Sequence, residues 1–73
     1  MTEIEKLALN IIKTQEFVYD NKKTLDEEKY WEILNNLRVL LEGVFRNEVE
    51  ENSAKELNIL FEKSINTGNI LIF

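Results

Sequence analysis

An all-α fold is predicted for this chain, a three-helix bundle ending in an apolar tail, and three observations predict it. Apolar residues recur at helical spacing through three separate stretches. Each stretch opens on a Thr or Ser standing three places before a Glu, the pattern of a capping box. Helix breakers are scarce, with no proline and glycine only at 43 and 68. The chain reads as a single helical domain over residues 1–73. Its helices are expected at about 3–20, 25–47 and 53–66, with the tail at 70–73.

The first helix opens at Thr2 with Glu5, the hydroxyl accepting from the N3 amide and the Glu reaching back to the cap amide. Its inward set is Ile4, Leu7, Ala8, Ile11, Ile12, Val18 and Tyr19. Asp20–Asn21–Lys22–Lys23 forms the turn, because Asp and Asn bond their own neighbouring backbone.

The second helix opens at Thr24 with Glu27. Tyr30, Ile33, Leu34, Leu37, Leu40, Leu41, Val44 and Phe45 make its unbroken apolar stripe. It is the longest element and is expected to be the central one. Gly43 within it costs about 1 kcal/mol relative to Ala. It is either tolerated or marks the close approach of another backbone.

The third helix opens at Ser53 with Glu56 and turns Ala54, Leu57, Leu60, Phe61 and Ile65 inward. Glu48, Glu50 and Glu51 lead into it, since carboxylates suit a helix start and not a helix end. Asn66–Thr67–Gly68–Asn69 stops it, with Gly68 available for the left-handed cap. Ile70–Leu71–Ile72–Phe73 then forms the tail. It either folds back on the core or extends to pair with a second subunit or a partner, because apolar ends left in water fray.

Composition removes whole classes of function. Cysteine and histidine are absent, and with them disulfides, thiolate ligands, the commonest zinc ligand and the commonest acid–base catalyst. No Gly-rich phosphate loop is possible with glycines only at 43 and 68. Asp26–Glu27–Glu28 lies in a first helical turn, where acids are expected for dipole reasons alone. No catalysis, cofactor or metal is therefore expected. With 14 acidic against 9 basic residues, a net charge of −5, direct nucleic-acid binding is disfavoured and a partner with a basic surface is favoured. The Met1 end lacks the charged and apolar regions of a signal peptide, and no apolar run reaches a membrane span. A cytoplasmic protein without membrane insertion is expected, and the richness in Ile, Lys, Asn and Glu suggests a bacterial or phage origin.

Two surfaces are candidates for partner binding. At about 100° per residue, Glu28, Glu32 and Glu42 fall within about 80° of one another on the outer face of the second helix. Glu28 and Glu32 stand about 6 Å apart along the axis, comparable with phosphate spacing on a DNA strand. The strip is either a solvated face or an imitation of a nucleic-acid backbone. Leu9, Phe17, Trp31, Val39 and Ile59 fall away from the centres of their inward faces. Trp31 either rims the core or meets a partner. Together with Ile70, Ile72 and Phe73 these residues exceed what a three-helix monomer covers, and a two-fold homodimer is the expected solution.

Leu7-Ala8-Leu9-Asn10-Ile11-Ile12 followed by Glu16-Phe17, and Leu25-Asp26 followed by Tyr30, Ile33 and Leu34, resemble the AbbA-type antirepressors of the Bacillus transition-state regulator AbrB. The matches fall in the first two helices. The third helix and the tail go beyond that family's pattern. The resemblance implies a small acidic helical dimer that inhibits a regulator by mimicking DNA. From the net charge of −5, the acidic face of the second helix and the lack of catalytic groups, the expected function is an inhibitor of a DNA-binding or nucleic-acid-processing protein. The alternative is a bacteriocin-immunity or antitoxin-like helical protein that binds through its apolar surface.

Overall fold

The computed structural model describes residues 1–68, so the tail residues Ile70, Leu71, Ile72 and Phe73 lie outside the described residues. Helix α1 spans Glu3–Asp20 and a single 3-10 turn spans Lys22–Thr24. Helix α2 spans Glu27–Phe45 and α3 spans Glu51–Thr67. No strand occurs among the described residues. The three helices form a compact body with Cα extents of 34 × 23 × 16 Å. Tyr19, near the end of α1, meets Tyr30, near the start of α2. The Glu51 carboxylate, at the start of α3, accepts from the Glu3 amide at the start of α1 (3.2 Å). The chain therefore runs up, down and up again. Contrary to the expectation that α2 is central, both α2 and α3 pack against α1. A central helix must offer two faces, and the one α1 turns to α3 buries polar Asn10 and Asn58 alongside apolar Ala54 and Phe61.

The first capping box forms as its sequence predicts. Thr2 Oγ1 accepts from the Glu5 amide (3.1 Å) and Glu5 Oε1 accepts from the Thr2 amide (3.2 Å). The other two do not form. Thr24 belongs to the 3-10 turn and its hydroxyl donates to the Asn21 carbonyl (2.8 Å). Leu25 is extended (φ −107°, ψ 145°), which carries its side chain back onto the core before the helix begins. Helix α2 thus starts at Glu27, with Asp26 as its cap residue and the Tyr30 amide donating to the Asp26 carbonyl (2.9 Å).

Ser53 lies inside the first turn of α3, which begins at Glu51. The earlier start gives the buried Ala54 amide a partner in the Glu50 carbonyl (2.9 Å) and brings the Glu51 carboxylate to the amino end of α1. Acids at both helix starts suit the positive ends of the dipoles.

The junction between α2 and α3 is a Schellman motif. Asn47 takes the left-handed conformation (φ 58°), its amide donates to the Val44 carbonyl (3.1 Å), and the Glu48 amide donates to the Gly43 carbonyl (2.9 Å). Helix α2 consequently ends at Phe45, two residues before its expected end. At the far end of α3, Gly68 adopts the left-handed cap (φ 74°).

A Cβ on Gly43 would meet Val49 Cγ2 at 3.8 Å and Glu48 Oε2 at 4.0 Å, ordinary contacts in the following loop. No second backbone approaches there. Gly43→Ala is therefore expected to stabilise the fold by about 0.5–1 kcal/mol. A higher urea midpoint with an unchanged slope checks this.

The core comprises Leu7, Ile11 and Val18 from α1, Tyr30, Ile33, Leu37 and Val44 from α2, and Ala54 and Phe61 from α3. It is narrower than the apolar stripes. Ile12, Tyr19, Phe45 and Leu60, all expected inward, are exposed. In their place the α1–α3 seam buries Asn10, Thr14, Asn58 and Ser64. Asn10 Nδ2 donates to Asn58 Oδ1 (2.7 Å), and Asn58 Nδ2 donates to the Glu3 carbonyl (3.0 Å) and to Glu3 Oε2 (3.1 Å). The Thr14 hydroxyl donates to the Asn10 carbonyl (2.7 Å). Among the described residues no buried side-chain nitrogen or oxygen lacks a partner, as burial of polar groups demands.

The same end of the molecule sets an acid sensitivity. The Asn58 amide, assisted by Lys6, holds the Glu3 carboxyl below its ordinary range against the cost of desolvation. The Thr2 backbone amide and hydroxyl hold Glu5 low likewise. A carboxyl whose pKa is lower folded than unfolded stabilises the fold above its unfolded pKa, and that contribution disappears as pH falls through the folded value. The urea midpoint should therefore fall with acidification through the carboxylate range, and should fall less in Glu3→Gln.

Candidate functional site

Helix α2 carries both candidate surfaces. Its buried line, Tyr30, Ile33, Leu37 and Val44, fixes which face meets α1, and the opposite face is left to water. Glu28, Glu32 and Glu42 are all exposed on that outer face. They are not equivalent. Arg38 Nη1 donates to Glu42 Oε1 (3.0 Å), and Arg38 Nη2 donates to Asn35 Oδ1 (3.0 Å). Glu42 is thus locally neutralised, whereas Glu28 and Glu32 carry no ion pair among the described residues. Val39, 54% exposed, interrupts the strip between Glu32 and Glu42.

Beside the strip runs a groove between α1 and α2. It is open, about 250 Å³ in volume, and lined by Gln15, Tyr19, Trp31, Leu34, Asn35 and Arg38. Trp31 and Tyr19 are 57% and 58% exposed, yet each leans on the buried Tyr30 ring. The Tyr30 and Trp31 centroids lie 5.1 Å apart at 72°, and the Tyr19 and Tyr30 centroids 6.4 Å apart at 64°. Such edge-to-face pairs match the positive ring edge to the negative face and fix side-chain orientation. The Lys22 ammonium stands 5.3 Å from the Tyr30 centroid, closing the arrangement from the α1–α2 turn. The groove wall is therefore held in place before any partner arrives.

Of the residues expected to make apolar contacts, Trp31 lines this groove. Leu9 and Val39 are exposed but lie outside its lining, and Phe17 is half-buried. Ile70, Ile72 and Phe73 lie outside the described residues. The sequence reading missed Tyr19, Leu34 and Arg38 as groove residues, and Ile12 and Phe45 as exposed ones. A signal was present. Ile12 and Tyr19 are seven apart, and Trp31, Leu34, Arg38 and Phe45 follow at steps of three, four and seven, which is a second stripe beside the first.

Among the described residues no group of three or more acidic side chains could hold a metal ion, and no helix is long and apolar enough to cross a membrane. No protein-family model matches the chain, no curated protein is detectably similar in sequence, and no solved structure is detectably similar in fold.

Proposed function

We propose that this chain is a small regulatory protein that acts by binding another protein, with the α1–α2 groove at the centre of the contact. The observation that carries the reading is the exposed, pre-oriented Tyr19 and Trp31 beside Arg38. Tyr, Trp and Arg dominate the energetics of protein contacts, because they combine large buried area with a polar tip, and Tyr and Trp lose little side-chain freedom. A side chain already braced against its neighbours loses less entropy on binding. The reading belongs with helical proteins of the immunity or antitoxin type, which work through an apolar surface.

The test uses the tagged full chain as bait in cells that encode it, beside Trp31→Ala and Glu28→Lys/Glu32→Lys versions. Loss of one specific partner from Trp31→Ala supports the groove. Its retention removes the groove from the contact.

A second reading keeps the inhibitor of a DNA-binding or nucleic-acid-processing protein that the AbbA-type resemblance implies. It is favoured by Glu28 and Glu32, which are exposed, free of ion pairs among the described residues and one turn apart. Under it the Glu28→Lys/Glu32→Lys chain loses the partner and binding weakens steeply with salt, since exposed charges are screened over about 8–10 Å at physiological ionic strength. Binding insensitive to salt removes this reading and leaves the first standing.

A further inference from the structure

The groove is part of a longer surface whose chemistry specifies its occupant. Ile12 (41% exposed) and Phe45 (72%) join Tyr19 and Trp31 as exposed apolar side chains. At about 100° per residue, Ile12 and Tyr19 fall on the flank of α1 that lines the groove, and Trp31 and Phe45 on the matching flank of α2. The half-buried Ala8, Leu34 and Leu41 fill the space between these positions on the same two flanks. From Trp31 to Phe45 the stripe covers about 21 Å of helix, four turns. A trough of that length between two antiparallel helices suits a third helix laid along it.

The edges of the trough are acidic. Glu5 and Glu16 lie on the outer side of the α1 flank and Glu28 on that of α2, while Glu27 falls at the azimuth of Phe45 on the α2 flank itself, all exposed. The opposing charges are few. Arg38 and Glu42 neutralise one another, Lys22 lies against Tyr30 at one end, and Arg46 is exposed beside Phe45 at the other. A second copy of the chain is a poor occupant, because two-fold pairing on this flank would set the acids against themselves in a protein of net charge −5. The complementary ligand has an apolar ridge with cations on both sides.

We infer that the α1–α2 flank takes a basic amphipathic helix of a partner protein, its apolar ridge over Ile12, Tyr19, Trp31 and Phe45 and its lysines or arginines against the glutamates along both edges. The inference rests on the proposed protein-binding role and names the class of partner segment. Charge complementarity of this kind raises the association rate and excludes wrong partners, while the apolar ridge sets the lifetime of the complex.

Trp31 is the sole tryptophan, so its emission reports occupancy directly. Three synthetic peptides of about four helical turns serve as probes. One is an amphipathic Leu/Lys helix, one is the same pattern with Glu for Lys, and one has the Leu/Lys composition in a non-amphipathic order. The Leu/Lys helix should saturate at one per chain with a blue shift of Trp31 emission. Both other peptides should bind at least about tenfold more weakly. Ile12→Gln/Phe45→Gln and Glu16→Lys/Glu27→Lys should each weaken the Leu/Lys helix by at least about tenfold while circular dichroism shows an unchanged fold.

Equal binding of the scrambled peptide, equal binding of the Glu peptide, or indifference of Kd to both double substitutions overturns the inference. So does a concentration-dependent dimer that buries Trp31 without peptide. The proposed function is judged apart from this. If no peptide binds but the natural partner is lost in Trp31→Ala, the function stands and the basic helix falls. If the natural partner is kept by Trp31→Ala, the groove-centred function falls.

Discussion

Phe61→Ala should remove a large share of the stability of the fold at room temperature. Phe61 is the largest of the fully buried side chains. It is the main apolar residue that α3 contributes, since the rest of the buried face of α3 is Ala54, Asn58 and Ser64. Truncating a buried Phe to Ala costs about 3–5 kcal/mol, the lost transfer energy plus the cavity left behind. A chain of 73 residues is stable by about 4–11 kcal/mol at typical values per residue. The loss is therefore a large share of that margin and reaches the whole of it at the lower end, and small domains have little other burial to draw on. Helical circular dichroism and the urea midpoint measure it. A variant that keeps a cooperative transition with a loss under about 1 kcal/mol would show that α3 is not anchored through Phe61. Phe61→Leu, which keeps most of the volume, should cost much less and serves as the control.

The number of helices and the heart of each inward face were legible as periodicity, because burial on one side of a helix leaves its mark every three to four residues. Leu7, Ile11, Val18, Ile33, Leu37, Val44, Ala54 and Phe61 were all readable in this way. Two of the three helix starts were not. Thr24 and Ser53 carry the right residue for a cap, but Leu25 has to turn back to the core and Ala54 has to be buried with its amide satisfied. Tertiary demand overrode the local signal.

The edges of the stripes were misread for a related reason. A helical wheel shows which residues are apolar, not how wide an arc the neighbours cover. Ile12, Tyr19 and Phe45 lie outside that arc. Trp31 was legible as an exposed residue because it stood off the stripe. Tyr19 was hidden because it stood on it. The neutralisation of Glu42 by Arg38 follows from their spacing of four on a helix, and that spacing was readable in the sequence.

The residues least legible were Asn10, Thr14, Asn58 and Ser64, which composition alone assigns to the surface. Their burial leads to the second large effect. Asn58→Ala should cost about 2–3 kcal/mol, because it leaves Asn10 Nδ2 buried without its acceptor at 2.7 Å and removes the donor to the Glu3 carbonyl and carboxylate. Asn10→Ala should cost about 1–3 kcal/mol for the matching reason. The double variant should cost less than the two together, since the second substitution removes the orphan that the first created. A urea-denaturation double-mutant cycle reads the difference directly, and strict additivity would mean that the bond contributes no coupling. The cycle also tests how the bundle keeps its two neighbours apart. Helix α1 offers an apolar face to α2 and, to α3, one that carries the Asn10 amide among apolar contacts. An interchange of α2 and α3 would bury the Asn10 amide against an apolar surface at the full cost of its desolvation. If the paired asparagines supply that discrimination, Asn10→Leu/Asn58→Leu should fold with stability near the natural chain but with a broadened amide NMR spectrum, since the register would no longer be specified.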